Sequence, residues 1–365
     1  MTRCLLAEDF DKTVYEIDVP LTSLIDFRQI RSDLGVPQYV DSDNFLLERG
    51  LVTIWAAMKV QSLKESNEHL EVGKGPIPVL LFGGAAVKML CPMANDPHSP
   101  LCREIGDIDL LTSKKRGQDF YKLLLALSGL CGTRYYHFAT RSDRRFNAMR
   151  SGKRFRVRAI DKIADDSLKT GILDIFTDEI SLRHKVDLRA ALENPEQNAH
   201  TIGPEALLLT KCQYIFDVHE SECDESQRQE IEYRILDYAP YKHDRLLIGI
   251  EDKDVRDVCS ILLSHDFDQR GSSIQTAIFG SALKRDKGFA LTFKLNFERL
   301  AKNEAYLKHI GLPNRDVETI LSRAGRVLDA IPPVDKKWSS PWWNVDVETP
   351  KIFAKNHAVD MRAIQ

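Results

Sequence analysis

The sequence predicts an α+β chain, with its strands gathered between residues 78 and 177 and helices on either side. Three observations predict it. Val79 to Phe82 is a short apolar run ended by Gly83 and Gly84, and Ala85 to Leu90 has the composition of a helix. Arg154, Arg156 and Arg158 alternate with Phe155, Val157 and Ala159, a period of two that only a strand has. A helix starts near Thr201, and helical apolar spacing returns over Glu251–Leu263, Phe293–Leu307 and Asp316–Ile331.

The composition sets bounds before any motif is read. At 365 residues the chain has room for two or three domains with substantial cores. A formal net charge of −3 predicts neither wholesale nucleic-acid binding nor attraction to a membrane surface. No run approaches the ~20 apolar residues of a membrane span, and the opening MTRCLLAEDF turns acidic too soon for a signal peptide, so no membrane is expected. Seven cysteines without a CxxC argue for reduced thiols and a cytoplasmic setting. Cys91, His98 and Cys102 can be drawn as part of a zinc site, but they lack a second ligand pair.

Residues 1–40 show little periodicity. From Asn44 to Glu68 the pattern is helical, with Leu47, Leu51, Ile54, Trp55 and Met58 on one face. Gly73, Gly75, Pro76 and Pro78 lead into the strand at Val79. A strand, a glycine pair and a helix start give a tight turn whose backbone N–H groups can hold phosphate. Next comes Asp107-Ile108-Asp109, followed by Leu110 and Leu111. On a strand Asp107 and Asp109 project together while Ile108 and Leu110 enter the core. Two adjacent carboxylates repel each other, and a divalent cation is the usual reason to place them so.

Gly117 to Leu127 reads as a helix covering the sheet. The arginine-rich strand follows, and it has two readings. It is either a solvated edge strand that deters aggregation, or a face that binds phosphate. A polar turn at Asp165-Asp166-Ser167 leads to a second strand, Gly171 to Thr177, expected antiparallel to the first. Asp174 inside it needs a partner, and facing Asp107 and Asp109 it would complete a metal cluster. Pro204 and Glu205 suit the first turn of the helix PEALLLTK, which places Lys211 on its apolar face. A lysine there either snorkels to water or points at an anion. Asp217 to Asp237 reads as an acidic helix pair or an excursion on the surface, and Glu251 to Leu263 as a helix with Asp254 and Asp257 on one face. Helices are expected over Phe293–Leu307 and Asp316–Ile331, then an arm with Trp338, Pro341, Trp342, Trp343 and Pro350 that should lie in a groove.

Gly83-Gly84, Asp107-x-Asp109, the PEALLLTK helix and KDVRDV together resemble the AbiEii/MenT-type nucleotidyltransferases, toxins of type IV toxin–antitoxin systems within the polymerase-β-type superfamily. The resemblance covers residues 78–263. It implies a polymerase-β-type core, a small mixed sheet flanked by helices, with a mostly helical C-terminal domain. The expected division is 1–72 as a helical extension, 73–200 as the core, 201–335 as the helical domain and 336–365 as the arm.

It also implies Mg²⁺ or Mn²⁺ on Asp107, Asp109 and Asp174, and an NTP, ATP among them, as substrate. Gly83, Gly84, Lys211 and Asp257 would bind the nucleotide. Asp254 would orient Lys211 or take the nucleophile's proton. The acceptor hydroxyl would belong to tRNA or another RNA, held by Arg154, Arg156 and Arg158, or to a protein. A cognate antitoxin is an implied partner. A non-catalytic RNA- or partner-binding module and an antibiotic-type enzyme acting on small molecules are the alternatives. The family often has serine where Gly84 stands.

Overall fold

The computed structural model describes residues 2–7, 14–19, 25–41, 44–65, 69–132, 135–150, 152–162, 168–193, 200–267 and 273–345. These residues form a mixed α+β chain of two compact units, Met1–Ile180 with Asp187–Leu207, and Ser181–Val186 with Leu208–Gln365. The Asp165-Asp166-Ser167 turn and Pro350 lie outside the described residues.

The first unit opens with an antiparallel pair, β1 (Thr2–Ala7) and β2 (Val14–Val19). Helices α1 (Phe27–Asp33), α2 (Phe45–Met58) and α3 (Val60–Glu65) follow. Asn44 caps α2 by accepting the Leu47 N–H, and the single helix expected from Asn44 to Glu68 divides at Lys59.

A five-stranded mixed sheet forms the centre of this unit. Its strands are β3 (Val79–Phe82), β4 (Asp107–Thr112), β5 (His137–Phe138), β6 (Arg154–Lys162) and β7 (Leu168–Thr177), in the spatial order β3-β4-β7-β6-β5. β4 and β7 run parallel and the other pairs antiparallel, so β6 and β7 pair as the sequence predicts.

Three helices position the sheet's side chains: α4 (Gly83–Leu90), α5 (Gly117–Cys131) and α6 (Arg141–Met149). α2 and α5 cover one face, where Gly50 packs on Leu81 and Ile108, and Tyr121 stacks on Phe155 at 5.4 Å between ring centres. The carboxylates and the arginines of β6 occupy the other face. Pleating dictates this division, since Phe155, Val157 and Ala159 are buried between the arginines. β6 meets β5 only at Arg158 and Ala159, and its arginines are part-buried and paired, not a freely solvated row. It lies fourth in the sheet, and Asn147 of α6 bonds both the N–H and the carbonyl of Arg156.

After β7 come a two-stranded sheet, β8 (Glu179–Ser181) and β9 (Lys185–Asp187), then α7 (Arg189–Leu192) and α8 (Pro204–Lys211). The second unit contains an antiparallel pair, β10 (Phe216–His219) and β11 (Arg245–Ile248), which flanks the acidic segment. Only α9 (Glu225–Ile231) is α-helical in the acidic segment between them. The remaining helices are α10 (Asp252–Ser264), α11 (Thr276–Leu283), α12 (Lys287–Lys302), α13 (Glu304–His309) and α14 (Asn314–Asp329). The tryptophan arm packs within its own unit. Trp343 is buried with Leu236, Tyr241, Leu247, Leu291 and Leu295, and Trp338 and Trp342 pack against that cluster.

Candidate functional site

Strand β3 ends at Phe82, and α4 begins at once with Gly83 in the left-handed region at φ +63°. A Cβ at Gly83 would collide with the Asp109 carboxylate, so glycine is what lets that carboxylate lie against the start of the helix. Phe82, at the N-cap position of α4, offers no side-chain cap. The Asp109 carboxylate, set against Gly83, faces the positive end of the α4 dipole. The Arg103 guanidinium rests on Gly84, where a Cβ would stand 2.5 Å from Nη2. Arg103 was not apparent in the sequence, because nothing in the irregular loop before β4 marks it.

Asp107 and Asp109 project from the same side of β4, Asp107 exposed and Asp109 half-buried. Asp109 is the register partner of Asp174 on β7, so all three carboxylates share one face of the sheet, as expected. The partner of Asp174 is not the expected one. Its buried carboxylate accepts from Arg154 Nη2 at 2.5 Å and from Arg156 Nε and Nη2 at 2.8 and 2.9 Å. The physical cause is the register of β6 and β7, which sets Arg156 directly opposite Asp174. Two guanidiniums already compensate this charge, and among the described residues no group of three or more Asp, Glu, His or Cys side chains could hold a metal ion. Cys91, His98 and Cys102 form no such group either.

A pair of carboxylates still suits Mg²⁺ or Mn²⁺. Mg²⁺ is commonly held by one or two carboxylates, with substrate phosphates and waters completing its shell. Asp107 and Asp109 supply hard oxygen donors of that kind, beside the glycine turn that opens α4.

The arginine comb is engaged within the unit. Arg158 bonds Asp143 of α6 through Nε at 2.8 Å, and Arg154 and Arg156 lie over the Phe146 ring at 5.3 and 4.7 Å. Asp143 also closes a capping box with Thr140, and the Arg158 and Thr140 bonds hold its carboxyl below the usual range although burial opposes them. The Thr140-x-x-Asp143 spacing was a readable signal for this helix start.

In the second unit Lys211 ends α8, and its ammonium bonds two carboxylates of α10, Asp254 at 3.0 Å and Asp257 at 2.7 Å. It therefore does not snorkel into water. Asp257 is buried, and a buried charge persists only with such a partner. Cys212 and Cys259 lie close by, and burial raises both thiols, that of Cys259 to about 12, which makes them poor nucleophiles.

Each half of the expected set thus forms a local cluster: Gly83, Gly84, Asp107 and Asp109 in the first unit, and Lys211, Asp254 and Asp257 in the second. No protein-family model matches the chain, and no curated protein and no solved structure matches it either.

Proposed function

We propose that the chain is a nucleotidyltransferase that moves a nucleoside monophosphate from an NTP to a hydroxyl acceptor, on a core of the polymerase-β type. The observation that carries this reading is the approach of Asp109 to Gly83, which sets one of two metal-type carboxylates beside the glycine turn that opens α4. A phosphate–metal site gives a physical reason for that neighbourhood.

Asp107 and Asp109 would hold Mg²⁺ or Mn²⁺, which supplies neutralisation of charge on the phosphates. The first N–H groups of α4 would donate to phosphate oxygens, and their fixed orientation costs no reorganisation during transfer. Asp174 would act at one remove, fixing Arg154 and Arg156 beside the carboxylates. The resemblance assigns Lys211 to the triphosphate, and Asp254 and Asp257 would set the direction of its ammonium. A toxin role, and an antitoxin to match it, rest on the resemblance alone.

A second reading, a nucleic-acid- or partner-binding module without catalysis, is favoured by one observation: Asp174 is spent on arginines and leaves two metal-type carboxylates. One experiment separates the two. The purified protein is incubated with each α-labelled NTP, Mg²⁺ or Mn²⁺, and a mixture of total RNA and protein. Label transferred to RNA or protein supports the transferase. No transfer from any NTP to any acceptor overturns it.

A further inference from the structure

The segment Arg141 to Lys162 carries most of the local positive charge of a chain whose net charge is −3. The fold sorts these cations into two sets. Arg154, Arg156 and Arg158 are committed to Asp174 and Asp143. Those contacts, with Asn147 on the Arg156 backbone, fix which side of α6 faces the sheet. The opposite side then points outward. Arg141, Arg144 and Arg145, spaced as one helical stripe, are exposed there, with Arg150 and Lys153 exposed just beyond. Among the described residues none of these five makes an ion pair with a carboxylate.

Beside this stripe lies an open groove of about 330 Å³ at the start of β6. Arg144 and Ala148 of α6 line one wall, and Gln118 and Tyr121 of α5 the other. Phe155 lies behind Tyr121 and stacks on it with the rings inclined by 23°. The inner face of the Tyr121 ring is backed by Phe155, and the ring takes part in the lining of the groove.

We infer that α6 and this groove bind a single-stranded nucleic acid, with phosphates on the Arg141–Arg144–Arg145 stripe and a base against Tyr121. A row of unpaired cations alone fits any polyanion, including an acidic peptide. The aromatic ring and the Gln118 amide next to the row favour the nucleic acid, since every base offers a π-face and polar edges. An unstacked base is needed to reach the ring, which selects a single strand over a duplex. The acceptor-binding role first read from the β6 comb moves, in this inference, to the helix that the comb supports.

The inference does not depend on nucleotide transfer, because the test contains neither NTP nor metal. Fluorescein-labelled oligouridylate, the matching oligodeoxyuridylate and inorganic polyphosphate are titrated with the full chain at several salt concentrations, followed by anisotropy. Replacing Arg141, Arg144 and Arg145 together by Gln should weaken binding of all three probes. It should also lower the salt slope of log K for the oligonucleotides by about 2, at ~0.7 per phosphate contact on a single strand. Tyr121→Leu keeps an apolar cover over Phe155 and removes the ring. It should weaken both oligonucleotides by about tenfold, in the range of one lost base stack, and leave polyphosphate unchanged. Tighter binding of the ribose than the deoxyribose probe would identify RNA as the natural source, and equal binding would mean that phosphate and base alone are read. Wild-type affinity and slope in the triple variant overturn the inference. Equal binding of oligonucleotides by Tyr121→Leu and the wild type overturns the base contact, and an acidic peptide that outcompetes both oligonucleotides overturns the choice of partner.

Discussion

Arg156 and Asp174 stand directly opposite one another on β6 and β7, and the guanidinium grips the carboxylate in a bidentate pair. Arg154 joins the same carboxylate from one side. An acid expected as a third metal ligand is thereby a structural anchor of the first unit.

Replacing Asp174 by Asn should destabilise the protein by about 3 kcal/mol, the lower end for breaking a buried pair, because both arginines keep some contact with water. Replacing Asp174 by Leu together with Arg154 and Arg156 by Met should recover part of that loss. Urea denaturation of the three proteins checks this. A single variant as stable as the wild type would show that the pairing contributes nothing.

Asp107→Ala and Asp109→Ala should each abolish transfer of nucleotide label. Asp107 is exposed, so its loss should leave the urea midpoint within error of the wild type. Gly83→Ala should act on both counts, straining the left-handed backbone and driving its Cβ into the Asp109 carboxylate. It should lower stability by roughly 1–3 kcal/mol and lower transfer with it. Wild-type transfer in either aspartate variant would remove the metal assignment.

Lys211→Met removes the cation between Asp254 and Asp257 and leaves two carboxylates, one of them buried, facing each other. The variant should lose about 3 kcal/mol of stability, which an added Asp257→Leu should partly restore. If Lys211 also meets the triphosphate, NTP turnover should fall on the order of 10²-fold in both proteins. Turnover restored along with stability would limit Lys211 to holding α8 against α10.

His137 is buried on β5, where desolvation and the neighbouring Arg49 charge push its pKa down to about 3. The folded state therefore holds the neutral ring while the unfolded chain takes up a proton. Stability from this group is fully present above the ordinary histidine value near 6.5 and is lost as pH falls from there toward 3, at about 1.4 kcal/mol per pH unit. His137→Gln should remove that slope. Urea titrations between about pH 7 and about pH 4 would show it, and a variant with the wild-type slope would place the acid sensitivity elsewhere.

The sequence by itself determined the local elements that rest on short-range signals. A glycine pair after four apolar residues marked the β3–α4 turn, the period of two put Asp107 and Asp109 on one side of β4, and Pro204 with Glu205 started α8. β10 and β11 escaped notice because each is four residues long and they flank an acidic, helix-rich segment. Lys211 and the Asp254–Asp257 pair were each visible on a helix face, while their meeting required two helices to pack. The comb shows the division most clearly. Alternation revealed a row of arginines, but only the register of β6 on β7, and the docking of α6 over β6, decided that these three look inward to Asp174 and Asp143. Pairing energy depends on which residues face each other across strands. That is a property of long-range register, and no local pattern in a single strand carries it.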